Sequence, residues 1–169
     1  PNPEVIISKQ GYCLRDSIYL KASYVNEEFP VVSTQWFDNS LLISTDSAFY
    51  RKFNSKKNRV CLISTNEKGC LDTSYLNLNL NQPEIRLKSS RDTICLGSEW
   101  SVSASVKGDT TIRNEYWLFN DSLMPSNSRM LQLVPKYSQI IKIQYYSEDE
   151  RGCWDSAYNP KNLVVGDTQ

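Results

Sequence analysis

The sequence predicts an all-β chain built as two tandem β-sandwich units, and three observations carry that prediction. Landmarks recur in the same order at a period of about 80 residues, the mark of a duplicated structural unit. Within each copy, apolar and polar residues alternate with a period of two, as strands with one buried face require. No segment sustains the 3.6-residue apolar stripe of an amphipathic helix over three turns.

The repeat is read first. Pro3-Glu4-Val5-Ile6-Ile7 is echoed by Pro83-Glu84-Ile85-Arg86-Leu87. Cys13-Leu14 followed by Ser17–Ser23 is echoed by Cys95-Leu96 followed by Glu99–Ser105. Gln35-Trp36-Phe37 with Ser40-Leu41-Leu42 returns as Tyr116-Trp117-Leu118 with Ser122-Leu123-Met124. Glu67-Lys68-Gly69-Cys70-Leu71-Asp72 returns as Glu150-Arg151-Gly152-Cys153-Trp154-Asp155. The boundary falls at Asn81-Gln82-Pro83, where proline removes a backbone donor and favours an extended entry into the next strand. The expected domains are residues 1–82 and 83–169.

The strands follow in order. Val5 to Ser8 is a short extended run. From Ser17 to Tyr24 the residues Ile18, Leu20 and Ala22 share one face, opposite Tyr19 and Lys21. Arg59 to Thr65 turns Val60 and Leu62 the same way, and Leu76, Leu78 and Leu80 alternate with asparagines. The second copy repeats the pattern with Trp100, Val102 and Ala104, then Ile141, Ile143 and Tyr145. Turn-forming residues at Asn66–Gly69 and Glu148–Gly152 separate the last strands of each copy. Several short strands per copy, with a tryptophan on the third, imply a Greek-key, immunoglobulin-like sandwich whose core tryptophans are Trp36 and Trp117.

Five cysteines are present. Cys13 matches Cys95 and Cys70 matches Cys153, which suggests one disulfide per unit, Cys13–Cys70 and Cys95–Cys153. Each would close a loop of about 60 residues and contribute ~3–4 kcal/mol. Bonded cysteines imply an oxidising compartment. One objection comes from topology. A cysteine just before the second strand lies at the opposite end of such a sandwich from the last hairpin, and sulfurs bond only across Cα separations within about 7 Å. Cys61 has no counterpart; alternating with Val60 and Leu62, it faces away from the core as an unpaired thiol.

Composition excludes several functions. The 19 basic and 19 acidic residues cancel, against the positive excess that nucleic-acid or anionic-membrane surfaces need. With no histidine in the chain, Ser-His and Cys-His nucleophilic sites cannot be assembled. No pair of cysteines has the spacing of a structural zinc site. The expectation is therefore no catalytic residues, no metal and no cofactor. Apolar runs are too short to span a bilayer, so this segment does not insert directly into a membrane. Lys52, Lys56, Lys57 and Arg59 form a basic stretch that reads as a solvated hairpin, with contact to anionic polysaccharide as the alternative. Tyr116-Trp117 and Tyr145-Tyr146 place aromatic rings on an outer sheet face, where they could meet sugars or a protein partner.

The Cys-x-Gly of Cys95-Leu96-Gly97, the tryptophan strand and the late Gly-Cys followed by Asp-Thr or Asp-Ser resemble the PKD-like and immunoglobulin-like repeats of Bacteroidetes exported cell-surface proteins. Arg15 stands where the second copy has Gly97. The resemblance implies export, often by type IX secretion, and service as an adhesin, spacer or gliding-associated module. The pattern of Asp, then Ser or Thr, then an apolar residue or Thr resembles the O-glycosylation acceptor of such proteins. It marks Ser17, Ser47, Thr93, Thr110, Ser122 and Ser156 as candidates. The expected function is a non-catalytic structural or interaction module of an exported surface protein, part of a larger chain or assembly, with a protein or surface-glycan partner. The alternatives are a carbohydrate-binding accessory module of a secreted enzyme and a docking subunit of an envelope secretion or motility machine.

Overall fold

The structure is a computed structural model and describes residues 4–25, 28–108, 111–124, 128–159 and 163–166. The chain divides into two compact units, Pro1–Asn81 and Gln82–Gln169. Every regular element among the described residues is a β-strand.

In the first unit, β1 (Glu4–Gln10), β2 (Ile18–Val25) and β5 (Ala48–Arg51) form one sheet in the order β1-β2-β5. The facing sheet contains β3 (Val31–Asp38), β4 (Leu41–Ser44), β6 (Lys57–Asn66) and β7 (Leu71–Asn79) in the order β4-β3-β6-β7. All neighbouring pairs are antiparallel. The chain crosses between sheets after β2, β4 and β5, the interleaving of a Greek-key sandwich. β1 and β6 run beyond their expected ends on both sides, because ladder pairing continues past the last apolar side chain, whereas β2 is shifted by one residue and β7 starts earlier, at Leu71, and stops at Asn79.

The alternation read from sequence sets the packing. Ile18, Leu20 and Ala22 of β2 face Trp36 of β3 and Val60 and Leu62 of β6 across the core. Trp36 is fully buried, meets Phe49 edge-on at 5.3 Å, and donates its indole N–H to the Asp46 carbonyl at 2.8 Å. A buried indole needs such an acceptor, since an unpaired donor would forfeit about 1–3 kcal/mol.

The second unit repeats the plan. Its sheets are β13-β10-β8 and β12-β11-β15-β16, with a further three-stranded sheet β14-β17-β9. Here β8 is Glu84–Ser89, β9 Thr93–Cys95, β10 Trp100–Lys107, β11 Ile112–Phe119 and β12 Ser122–Met124. They are followed by β13 (Met130–Leu133), β14 (Gln139–Ile141), β15 (Ile143–Asp149), β16 (Trp154–Tyr158) and β17 (Leu163–Gly166). Trp117 is fully buried, packs edge-on to Tyr145 at 4.6 Å, and donates to the Ser128 carbonyl at 2.8 Å. Trp100 adds a second buried indole, donating to the Arg91 carbonyl at 2.7 Å.

The turn between β3 and β4 holds two consecutive left-handed residues, Asn39 (φ 48) and Ser40 (φ 71). Asn120 (φ 46) and Asp121 (φ 64) occupy the same turn between β11 and β12. Two positive φ values in a two-residue hairpin match the right-handed strand twist, and asparagine tolerates that conformation best after glycine.

Candidate functional site

The outer face of the four-stranded sheet is the richest surface in both units. In unit 1 the register sets Leu42, Phe37, Cys61 and Tyr75 directly opposite one another across β4, β3, β6 and β7. In unit 2 the equivalent row is Leu123, Leu118, Gln144 and Tyr158 across β12, β11, β15 and β16. These residues occupy the positions that alternate with the core-facing ones, so the strand pleat delivers them outward. Leu42, Tyr75, Leu123 and Tyr158 are all exposed.

Each row ends in a cation over an aromatic ring. The Arg59 guanidinium lies 4.3 Å from the Tyr75 ring centroid, and the Lys142 ammonium lies 5.1 Å from that of Tyr158. Such pairs are worth about 0.5–1 kcal/mol at exposed sites. Lys142 also bonds Asp121 at 2.9 Å, and its pKa is raised by that hydrogen bond. In unit 1 the row floors an open groove of about 470 Å³, rimmed by Asn39, Ser40 and Arg59. Among the described residues that line it, Arg59 is the one that carries a charge. The sequence placed Arg59 in a solvated basic stretch. The register of β6 against β7, which the sequence did not supply, makes it a neighbour of Tyr75.

Unit 2 adds a ladder of rings beside its row. Tyr116 and Tyr146 stack at 4.7 Å with planes 18° apart, and Tyr146 and Trp154 follow at 5.6 Å and 22°. The Tyr116–Tyr146 pair is directly cross-strand. Burial, then the neighbouring Glu148 carboxylate, raises the Tyr146 pKa above its ordinary value. Of the two aromatic pairs read as candidates for an outer face, Tyr116 and Tyr146 stack with each other there, whereas Trp117 and Tyr145 are buried in the core. Glu115 of β11 forms a bidentate pair with Arg129, the residue before β13, whose Nε donates to both carboxylate oxygens at 3.0 Å.

The cysteines are placed differently from expectation. Cys70 and Cys95 are free thiols, and the disulfide-bonded cysteines are Cys13 and Cys153. The pairings Cys13–Cys70 and Cys95–Cys153 are therefore corrected. Cys13 is bridged to Asn81, just past the far end of β7, whereas Cys70 immediately precedes its first residue. The intervening strand advances about 3.3 Å per residue, leaving the two cysteines roughly 30 Å apart, far beyond disulfide reach. In unit 2 Cys95 pairs with Gly166 at the end of β17, while Cys153 sits at the hairpin before β16. Cys61 is a free, half-buried thiol in the outward row.

Among the glycosylation candidates, Ser17, Ser47, Thr93 and Ser122 are exposed and Ser156 is half-buried. Thr110 lies outside the described residues. No group of three potential metal ligands occurs among the described residues, and none of their elements is a helix long and apolar enough to cross a membrane.

The fold and its sheet faces define a tandem immunoglobulin-like β-sandwich protein. No protein-family model matches the sequence, and no curated protein does. Among solved structures, the chain is similar to the N-terminal eight immunoglobulin domains of Down syndrome cell adhesion molecule, isoform 1.30.30. That match has a TM-score of 0.57 at 12% identity over 99% of this chain and 24% of that one. It is similar at lower scores to the full ectodomain of mouse nectin-like molecule 4 (TM-score 0.48, 15% identity, 98% of this chain and 64% of that one). The fibronectin(III)-like modules of Clostridium thermocellum CbhA give TM-score 0.44 and 12% identity over 97% of this chain and 95% of that one. The chain thus spans less than two thirds of the nectin-like ectodomain and about a quarter of the adhesion-molecule fragment. At these identities the likeness is one of fold.

Proposed function

We propose that this chain is a non-catalytic interaction module of an exported protein, and that it binds a protein partner through the outer faces of its four-stranded sheets. The observation that carries the reading is the twinned outward row, ending in Arg59 over Tyr75 in one unit and Lys142 over Tyr158 in the other. Exposed aromatic and arginine side chains on a rigid sheet are the groups that contribute most to protein interfaces. Disulfide-bonded cysteines favour an oxidising compartment. The likeness to a cell adhesion molecule agrees in kind with a surface role. Membership of the PKD-like repeats of Bacteroidetes, secretion by the type IX route and O-glycosylation extend this proposal.

The carbohydrate-binding alternative fits the ring geometry less well. A sugar stacks on an open aromatic face, but the ring faces of Tyr116, Tyr146 and Trp154 that meet in the ladder are already covered by one another.

The test is partner capture from envelope or surface extracts of the source organism, comparing the native chain with Tyr75→Ala and with Tyr116→Ala/Tyr146→Ala. A specific partner should be retained by the native chain and weakened about tenfold or more by a change on the binding face. Capture indifferent to every one of these substitutions would refute the proposed face. Binding on a glycan array that the same substitutions abolish would favour the accessory-module reading instead.

A further inference from the structure

We infer that the protein partner of these faces is a second copy of this chain, with the outer face of unit 1 in one copy docking on the outer face of unit 2 in another. The inference rests on the reading of the four-stranded faces as binding surfaces, and it names what fits them.

The two faces share a plan and differ in charge. In unit 1 the charged residues at outward strand positions are Lys57 and Arg59, both basic, both on β6 and both exposed. None of the outward positions among the described residues carries a carboxylate. Asp38 and Asp72 belong to the same sheet but alternate to its inward side, opposite the buried Val60 and Ser64. Asp72 is also occupied there, accepting the Val5 amide at 3.1 Å. The Arg59 guanidinium rests on the Tyr75 ring and pairs with no carboxylate among the described residues.

In unit 2 the sign reverses. Lys142 stands where unit 1 has Arg59, but it is already tied to Asp121 at 2.9 Å. Among the ladder-paired outward positions of β11, β15 and β16, Glu148 is the charged residue. It is half-buried and accepts a hydrogen bond from Asn114 at 3.2 Å, with no cation paired to it among the described residues. Asp155 alternates to the inward side, opposite the buried Ser147. Arg113 stands in the bulge of β11 and lines the sheet edge with Glu115 and Arg129.

One duplicated surface thus presents an unpaired guanidinium and the other an unpaired carboxylate. Unit 1 against unit 1 would oppose two cations, and unit 2 against unit 2 two carboxylates; unit 1 against unit 2 neutralises both. Apolar side chains surround each charge. Leu42 and Tyr75 are 48% and 59% exposed in unit 1, and Leu123 and Trp154 are 67% and 38% exposed in unit 2. Covering them supplies the attraction, while the charge pair selects the unlike face. A single four-stranded face is a small interface, so the contact belongs to the weak, transient class.

The test is sedimentation velocity on the 169-residue chain over about 1–500 μM, with near-UV circular dichroism confirming the fold of each variant. The native chain should self-associate, and more weakly as salt rises. Arg59→Glu and Glu148→Arg should each weaken self-association by about tenfold or more. Mixing the two variants should restore it, because each contact between unlike copies then pairs opposite charges. The inference is overturned by a native chain that stays monomeric at the highest concentration, by self-association indifferent to both reversals, or by a mixture no stronger than either variant alone. A monomeric chain that still captures a different partner, and loses it in Tyr75→Ala, would sink self-pairing while leaving the faces as binding surfaces.

Discussion

The Asn66 side-chain oxygen accepts the amide of Cys70 at 2.9 Å and that of Lys68 at 3.0 Å, so one buried residue at the end of β6 closes the last hairpin of unit 1. Asp149 does the same for Cys153 and Arg151, both at 2.9 Å. Replacing Asn66 with Ala leaves those amides without their acceptor and should lower the stability of unit 1 by about 1–3 kcal/mol. Asn66→Asp keeps the acceptor that the sister unit uses and should cost less. Chemical denaturation of the three proteins orders them.

The hydroxyls of Ser64 and Ser147 are fully buried at equivalent positions, and neither has a hydrogen-bond partner among the described residues. A buried hydroxyl without a partner forfeits its hydration and gains nothing in return. Ser64→Ala should therefore be neutral or stabilising by up to about 1 kcal/mol, an unusual result for a core substitution. A loss beyond 1 kcal/mol in the denaturation midpoint would contradict it.

Burial opposes ionisation of Glu115, but the hydrogen bonds from Arg129 and the Arg129 charge outweigh it, and the net pKa falls below its ordinary 4.5. A carboxylate depressed by folding stabilises the native state above its unfolded pKa and loses that contribution as pH falls through the folded value. The pair is part exposed, so the contribution is about 0.2–1 kcal/mol. Glu115→Gln should flatten that part of the stability–pH curve below the ordinary carboxylate range and leave the neutral-to-alkaline side parallel to the native curve.

Arg59 contributes little to folding on this account. Arg59→Ala should cost about 0.5–1 kcal/mol through the lost contact with Tyr75. Its effect on partner capture should be larger than its effect on thermal unfolding. A stability loss matching that of a core substitution would mean that the side chain is structural.

The sequence carried most of the fold because its signals are local. Alternation at Ile18-Leu20-Ala22 and Trp100-Val102-Ala104 named the buried faces, and every one of those six residues is buried. The repeat located both core tryptophans. What it could not carry was register and end-to-end placement. Cys13 and Cys70 looked like partners because both recur, yet they sit at opposite ends of β7. Arg59 and Tyr75 are sixteen positions apart in sequence, and only the β6–β7 pairing sets them together. Asn66 read as a turn residue, while its role as a buried acceptor depends on the tightness of the hairpin that it closes.

The central claim is that each unit closes over its own tryptophan, and amide hydrogen exchange on Trp36→Ala tests it most directly. Removing a fully buried tryptophan costs about 3–5 kcal/mol. Protection should collapse across β1 to β7 while β8 to β17 keep native protection. Equal loss of protection in both units would contradict two separate cores.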